Sequence, residues 1–231
     1  MSEIRITFLG TGAGASIHRA HTAIALDCSG GFRILLDAGS GNSVMRSGAE
    51  AGMFAESFDT VLLSHAHSDH MSGLPHIQGQ RTMVKPEGPP MEVYSAELSL
   101  QRVQSLFRAT SITHSVNEEG VTTSDGTKVV SWRYTHPGQR IQLSDKVWAS
   151  CFAVDHIQGA MGWRVESDGV AVVFSGDTRF SENLAAASHG ADLLIHEALC
   201  TDADTTGASS RGHSTAGEAA RAAAIAQVKS L

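Results

Sequence analysis

Cysteine is scarce in this chain of 231 residues. Its three copies (Cys28, Cys151 and Cys200) are odd in number and far apart, which excludes a disulfide framework. Charged residues make up only 18% against 42% hydrophobic, a balance that argues against long disordered stretches and for a compact core. Positive charge is the poorer sign, with 17 Lys and Arg against 24 Asp and Glu and a net charge of −7. That deficit weakens any function resting on broad electrostatic capture of nucleic acid. No apolar run approaches the roughly 20 residues that cross a bilayer, so no membrane association is expected. The opening Met-Ser-Glu-Ile-Arg-Ile-Thr-Phe-Leu alternates like a strand and lacks a signal peptide's apolar stretch. A cytoplasmic protein is expected.

Histidine is abundant instead, with 12 copies against 3 Trp and 2 Tyr. Because imidazole ionises near neutrality and ligates metals, its placement carries the most information. The first forty residues read as three strands, Ile4 to Leu9, Thr22 to Cys28 and Phe32 to Asp37, the last two joined by the hairpin signal Ser29-Gly30-Gly31. A helical stretch starts near Ser43, Asp59 to Ser64 reads as a buried strand, and residues 96–109 space Leu98, Val103, Leu106 and Phe107 as a helix does. The second half repeats this grammar with strands at Val147 to Val154, Gly162 to Glu166, Val170 to Phe174 and Asp192 to Ile195, then an alanine-rich helix from Thr215 to Lys229. The turn Ala38-Gly39-Ser40-Gly41 has a counterpart in Ser175-Gly176-Asp177-Thr178. Residues 80–92, with three of the five prolines, read as an exposed loop, and the small polar residues 201–212 as a mobile one able to act as a lid. With no linker between the halves, residues 1–231 are expected to form a single domain.

Gly10-Thr11-Gly12-Ala13-Gly14 lacks the spacing and the following helix of a dinucleotide fingerprint, and reads as a tight turn that brings backbone close to something else. The strong signal is Ser64-His65-Ala66-His67-Ser68-Asp69-His70, past an apolar strand. In extended chain, residues two apart point the same way, so His65 and His67 can grip one ion. If a helix then begins, Asp69 and His70 project from its first turn toward a neighbouring position. These side chains could serve two metals a few ångströms apart.

His-x-His-x-Asp-His after a strand resembles the metallo-β-lactamase fold. Phe8-Leu-Gly-Thr-Gly12, Leu35-Leu-Asp-Ala-Gly39, Ser72-Gly-Leu-Pro75, Phe174-Ser-Gly-Asp-Thr178, His196-Glu-Ala198 and His213-Ser-Thr215 resemble the ribonuclease Z and related phosphodiesterase branch, in that family's order. The resemblance implies an α/β protein, an αββα sandwich of two packed mixed sheets with helices on the outer faces. It implies a first metal on His65, His67 and His156, a second on Asp69 and His70, and Asp177 bridging them. Two divalent ions are implied, zinc first, manganese or iron as alternatives. They would present a metal-bound hydroxide to a phosphorus or carbonyl centre, with Asp69 orienting that nucleophile. His213 would protonate the leaving oxygen or stabilise the transition state, and Glu197 would orient His213. His196 reads as structural, whereas His76 and His136 could line the pocket.

Two departures from the family's pattern shape the expected substrate. The family carries a further histidine on a closing strand after the last helix, where this chain reaches Lys229-Ser230-Leu231, so that strand is expected to be missing. His213 or a neighbouring subunit, in a possible homodimer, could complete the second site. His156 and Asp177 lie 21 positions apart, too close for the tRNA-clamping arm of bacterial members. The expectation is therefore a phosphodiesterase acting on a small or cyclic phosphodiester. The alternatives are a tRNA 3′-processing endoribonuclease, a lactone, thioester or β-lactam hydrolase, and a non-catalytic metal-binding paralogue.

Overall fold

The computed structural model describes residues 3–110 and 114–231. They form two compact units, one of residues 5–27 and 33–134, the other of residues 28–32 and 135–231 with the N-terminal residues up to Ile4.

The N-terminal unit is built on an eight-stranded mixed sheet. Its elements are β1 (Arg5–Gly10), β2 (Ala23–Asp27), β3 (Arg33–Leu36), α1 (Ser43–Glu50), β4 (Thr60–Leu62), α2 (Ser68–Met71), α3 (Leu74–Val84), β5 (Met91–Ala96), α4 (Glu97–Thr110), β6 (Ser115–Val116), β7 (Gly120–Thr122) and β8 (Lys128–Thr135). The strand order is β1-β2-β3-β4-β5-β8-β7-β6. The central pairs β3–β4 and β4–β5 run parallel, with Leu36 beside Leu62 and Leu62 beside Tyr94. Parallel neighbours need crossovers, and α1 and α3 supply them. The apolar core gathers Leu35, Phe58, Val61, Leu63, Leu74, Ile77, Val93, Val103, Phe107 and Trp132. In β2 to β4 nearly every residue is buried, as sequence runs without polar alternation require.

The C-terminal unit holds β9 (Arg140–Ser144), β10 (Val147–Ala153), β11 (Met161–Ser167), β12 (Val170–Phe174), α5 (Glu182–Ala187), β13 (Leu193–Ile195), α6 (Thr205–Ser210) and α7 (Ala216–Ala226). The sheet order is β13-β12-β11-β10-β9, antiparallel except for the parallel pair β12–β13. Val173, Leu184, Ala191, Leu194 and Ala223 pack into one cluster, so α5 and α7 bury their small apolar faces on this sheet. Thr215 caps α7 reciprocally with Glu218. Past α7, Lys229 N donates to Ala191 O and Leu194 N donates to Ser230 O, laying the following residues along β13.

The two sheets with helices are the expected α/β class. Two local readings are corrected. Residues 80–84 are not loop, because α3 continues to Val84; the Arg81 guanidinium, 5% exposed, donates to the carbonyls of Phe58 and Pro89 and pairs with Asp59. Within 201–212, α6 forms, with Asp204 accepting from Gly207 N at its start. Strands β6 to β9 were not read in the sequence at all.

Candidate metal centre

The parallel strands β3, β4, β12 and β13 give way to polar side chains, as strands of α/β sheets do at the carboxyl ends where ligands bind. In the N-terminal unit β3 gives way to Asp37 and β4 to the histidine segment. Asp37 is fully buried and sits at a left-handed φ of 55°. Its Oδ1 accepts from Ser64 N (2.7 Å), and its Oδ2 accepts from Ser64 Oγ (2.7 Å) and His70 Nδ1 (2.6 Å).

This carboxylate sets the imidazoles. Ser64 Oγ spends its proton on Asp37, so at 2.9 Å from His65 Nδ1 it accepts the ring N–H. His65 and His70 therefore keep their protons on Nδ1 and carry a lone pair on Nε2. His67, extended at ψ 152°, precedes α2, whose first turn presents Asp69 and His70 as the spacing predicts. His65 Nε2 lies 3.0 Å from His67 Nδ1, near the roughly 3.3 Å separating two imidazoles on one tetrahedral zinc. Asp69 Oδ2 lies 3.6 Å from His70 Nε2. A side chain on Gly14 would stand 3.0 Å from Asp69 Oδ2, so the glycine lets the loop after β1 press against this carboxylate.

In the C-terminal unit the polar groups follow β10, β12 and β13. His156 Nδ1 donates to Gly212 O (2.8 Å), which places the lone pair on Nε2, and that Nε2 lies 3.9 Å from Asp177 Oδ2. Gly212 has φ 83°, and a Cβ there would meet His156 Nδ1 at 2.7 Å. Asp177 follows a turn through Gly176 at φ 59°. Thr178 N donates to Glu197 Oε1 (2.9 Å), and His213 Nδ1 donates to the same oxygen (2.8 Å). Asp177, Glu197 and His213 bring ligand-capable atoms within 4.8 Å of one another. Arg179 fastens this half: it donates to Asp155 Oδ1 (2.9 Å) and to Ser209 O (2.6 Å), holding the segment that carries Gly212.

His65, His67, Asp69 and His70 thus gather in one unit, and His156, Asp177, Glu197 and His213 in the other. His76 and His136 are exposed, as are His18 and His189. Burial lowers the pKa of His196; its Nδ1 donates to Glu197 O and its Nε2 has no hydrogen-bond partner among the described residues. Asp37, Gly212 and Arg179 were missed in the sequence. For Asp37 a signal existed: an ionisable residue closing an apolar strand before Ala-Gly.

The donor set fits divalent cations. His65, His70 and His156 each tie Nδ1–H to an oxygen and turn Nε2 outward, the arrangement of metal-binding histidines held by outer partners. Imidazoles and carboxylates without thiolates suit zinc, manganese or iron.

Comparison with known proteins agrees with this chemistry. A family model described as a beta-lactamase superfamily domain matches residues 32–231. A ribonuclease Z of Brevibacillus brevis is 30% identical over 268 aligned positions, covering 98% of this chain and 83% of that protein. Among solved structures, the metallo-beta-lactamase fold protein YhfI from Bacillus subtilis superposes with a TM-score of 0.79 at 20% identity, covering 99% of this chain and 84% of that one. The short form of human tRNase Z (ELAC1) gives 0.76 at 23% identity, covering 97% and 89%.

Proposed function

Because the chain belongs to the beta-lactamase superfamily domain family, as a ribonuclease Z-like metal-dependent hydrolase, we propose that residues 1–231 work as one domain that cleaves a phosphodiester at a dinuclear centre in the cytoplasm. His65, His67 and His156 would hold one cation, Asp69 and His70 the other, and Asp177 would contribute to both. Zinc is the proposed metal, from the imidazole-rich donor set. When bound, two such cations would lower the pKa of a water toward neutrality and offset charge on the phosphoryl oxygens. Asp69 orients the attacking water by accepting its hydrogen bond. His213 gives a proton from Nε2 to the leaving oxygen, and Glu197, accepting from Nδ1 at 2.8 Å, stabilises the imidazolium beforehand. The observation that carries this reading is the shared tautomer of His65, His70 and His156.

The proposed substrate is a small phosphodiester with a nucleoside part. Cleavage of RNA at a 3′ end is the second reading, favoured by the relatives named ribonuclease Z. Against a clamped tRNA, β11 and β12 are joined by Asp168-Gly169 alone, at φ 46° and 85°, with no arm between them.

Elemental analysis of protein purified without chelators is expected to find two metal equivalents per chain. Asp177→Ala loses metal and activity together. His213→Ala keeps its metal and slows turnover of bis-p-nitrophenyl phosphate by about 10²- to 10⁴-fold. A His213→Ala protein that loses metal makes this residue a ligand, and lactone hydrolysis with silence on every phosphodiester rejects the reading.

A further inference from the structure

His21 belongs to no motif of the sequence, yet it stands where three segments of the N-terminal unit cross. The residue is half-buried just before β2, and its Nδ1 shares a hydrogen bond of 2.6 Å with Ser40 Oγ, the one that its ring makes among the described residues. We propose that His21 is a positioning residue for the cation assigned to Asp69 and His70, bracing from two sides the short helix α2 that presents them. The proposal rests on the two-cation reading above and adds to it a residue that acts through others.

The first brace runs through the side chain. Ser40 lies in the turn after Asp37, and that turn grips the far end of α2: Ala38 N donates to His70 O (2.7 Å), and Gly73 N donates to Gly39 O (3.2 Å). The approach leaves no slack, because a side chain on Gly73 would collide with Ala38 O. Gly39 turns at φ 54°, and a Cβ there would press on Ser43 Oγ at 3.1 Å and His21 O at 3.2 Å. The Ser40 carbonyl accepts from Ser43 Oγ (2.7 Å), a tie within the turn itself. What fastens the turn to the neighbouring chain is the bond from Gly39 N to Thr22 O (2.9 Å) and the imidazole of His21.

The second brace runs through the backbone. His21 pairs with Gly12 in a parallel bridge, and Gly12 N donates to Ala20 O (2.8 Å), so the loop of residues 11–20 is closed at its neck. Gly14 lies inside that closed loop and stands against Asp69. His21 therefore sets the neighbour of Asp69 by its backbone and the neighbour of His70 by its ring. Those two ligands offer atoms 3.6 Å apart, and a site is productive only within about 0.5 Å of its geometry. A turn released from His21 drifts by enough to matter.

The test uses the full-length protein with zinc as the probe. His21→Leu, which keeps bulk but removes the ring nitrogen, and Ser40→Ala are each expected to weaken one of the two zinc equivalents by about tenfold or more, with the other unchanged, read by competition with a chromophoric chelator. The double variant loses no more than either single, since all three remove the same bond. His21→Asn, whose amide reaches the place of Nδ1, restores the affinity. His18→Leu, an exposed histidine of the same loop, is the control and leaves both equivalents unchanged. In metal-free protein, hydrogen exchange read by mass spectrometry should lose protection at residues 37–43 and 68–73 in His21→Leu and keep it in His21→Asn. Should His21→Leu fail to fold, Ser40→Ala carries the same readings. Two zinc equivalents held as tightly by Ser40→Ala as by wild type, additive losses in the double variant, equal loss in His18→Leu, or no rescue by His21→Asn overturns this proposal alone. A wild-type protein that takes up a single zinc rejects the two-cation reading, and the proposal falls with it.

Discussion

Asp37 shows how much a single side chain can organise. Its carboxylate is fully buried yet satisfied by three donors, so its charge is offset where it stands. Through Ser64 and directly, it fixes the tautomers of His65 and His70. Asp37→Ala leaves those donors orphaned, and a stability loss of about 3 kcal/mol is expected in urea unfolding. Metal affinity should drop by about ten- to a hundredfold, read by competition with a chromophoric chelator. Asp37→Asn keeps the shape but sheds the charge and should lie between. The sequence marked the position of Asp37 but not its partners, which stand 27 and 33 positions away. The histidine spacing showed which residue types gather but not which nitrogen each one offers. A second residue-scale outcome concerns Tyr94, whose pKa is pushed up to about 12 by burial and by the Glu92 carboxylate beside its hydroxyl. The unfolded tyrosine ionises near 10, so the folded protein retains a proton that the unfolded chain releases. That stabilisation is complete below about pH 10 and is lost as pH climbs toward 12. Tyr94→Phe should flatten alkaline unfolding in that window.

At the scale of elements, the strand-to-loop-to-helix grammar was the most readable part. Val170–Phe174 is apolar throughout and forms the strand that the sequence marked. β6 to β9 escaped because β6 has two residues and β9 buries none of its five, so neither offers a clean alternation. The stretch 201–212 looked mobile from its small polar residues, but Asp204 caps a helical turn there and Arg179 ties its Ser209 carbonyl. This segment is therefore better described as a clasp than as a lid. Gly212→Ala tests the clasp: the new methyl meets His156 Nδ1 and the backbone sits at positive φ. The expected result is loss of about one metal equivalent by mass spectrometry, with far-UV circular dichroism retained. Full occupancy in that variant would show that Gly212 does not set His156.

For the whole molecule, stability and metal binding should be coupled if the proposed ligands, which come from distant parts of the chain, share their cations as proposed. A cation that binds only folded chain at a hundred times its Kd adds about 2.7 kcal/mol. Chelator treatment should lower the Tm by several degrees and zinc should restore it; an unchanged Tm would mean that the ligand loops stand without metal. The fold class was legible because its motifs stand in a fixed order along the chain, even though β6 to β9 between them were not. The substrate was less so, since no motif along the chain marks the side chains that select it.

The closed neck of residues 11–20 carries a last implication. An insertion at its tip, near Ser16 and Ile17, adds length outside the Gly12–Ala20 closure and leaves the strands on either side in register. One inserted residue between Ala20 and Ala23 would instead shift β2 against β1 and turn its buried face outward. Variation in this loop is therefore cheapest at the tip, where a change of length or charge can be tried without disturbing the scaffold beneath it.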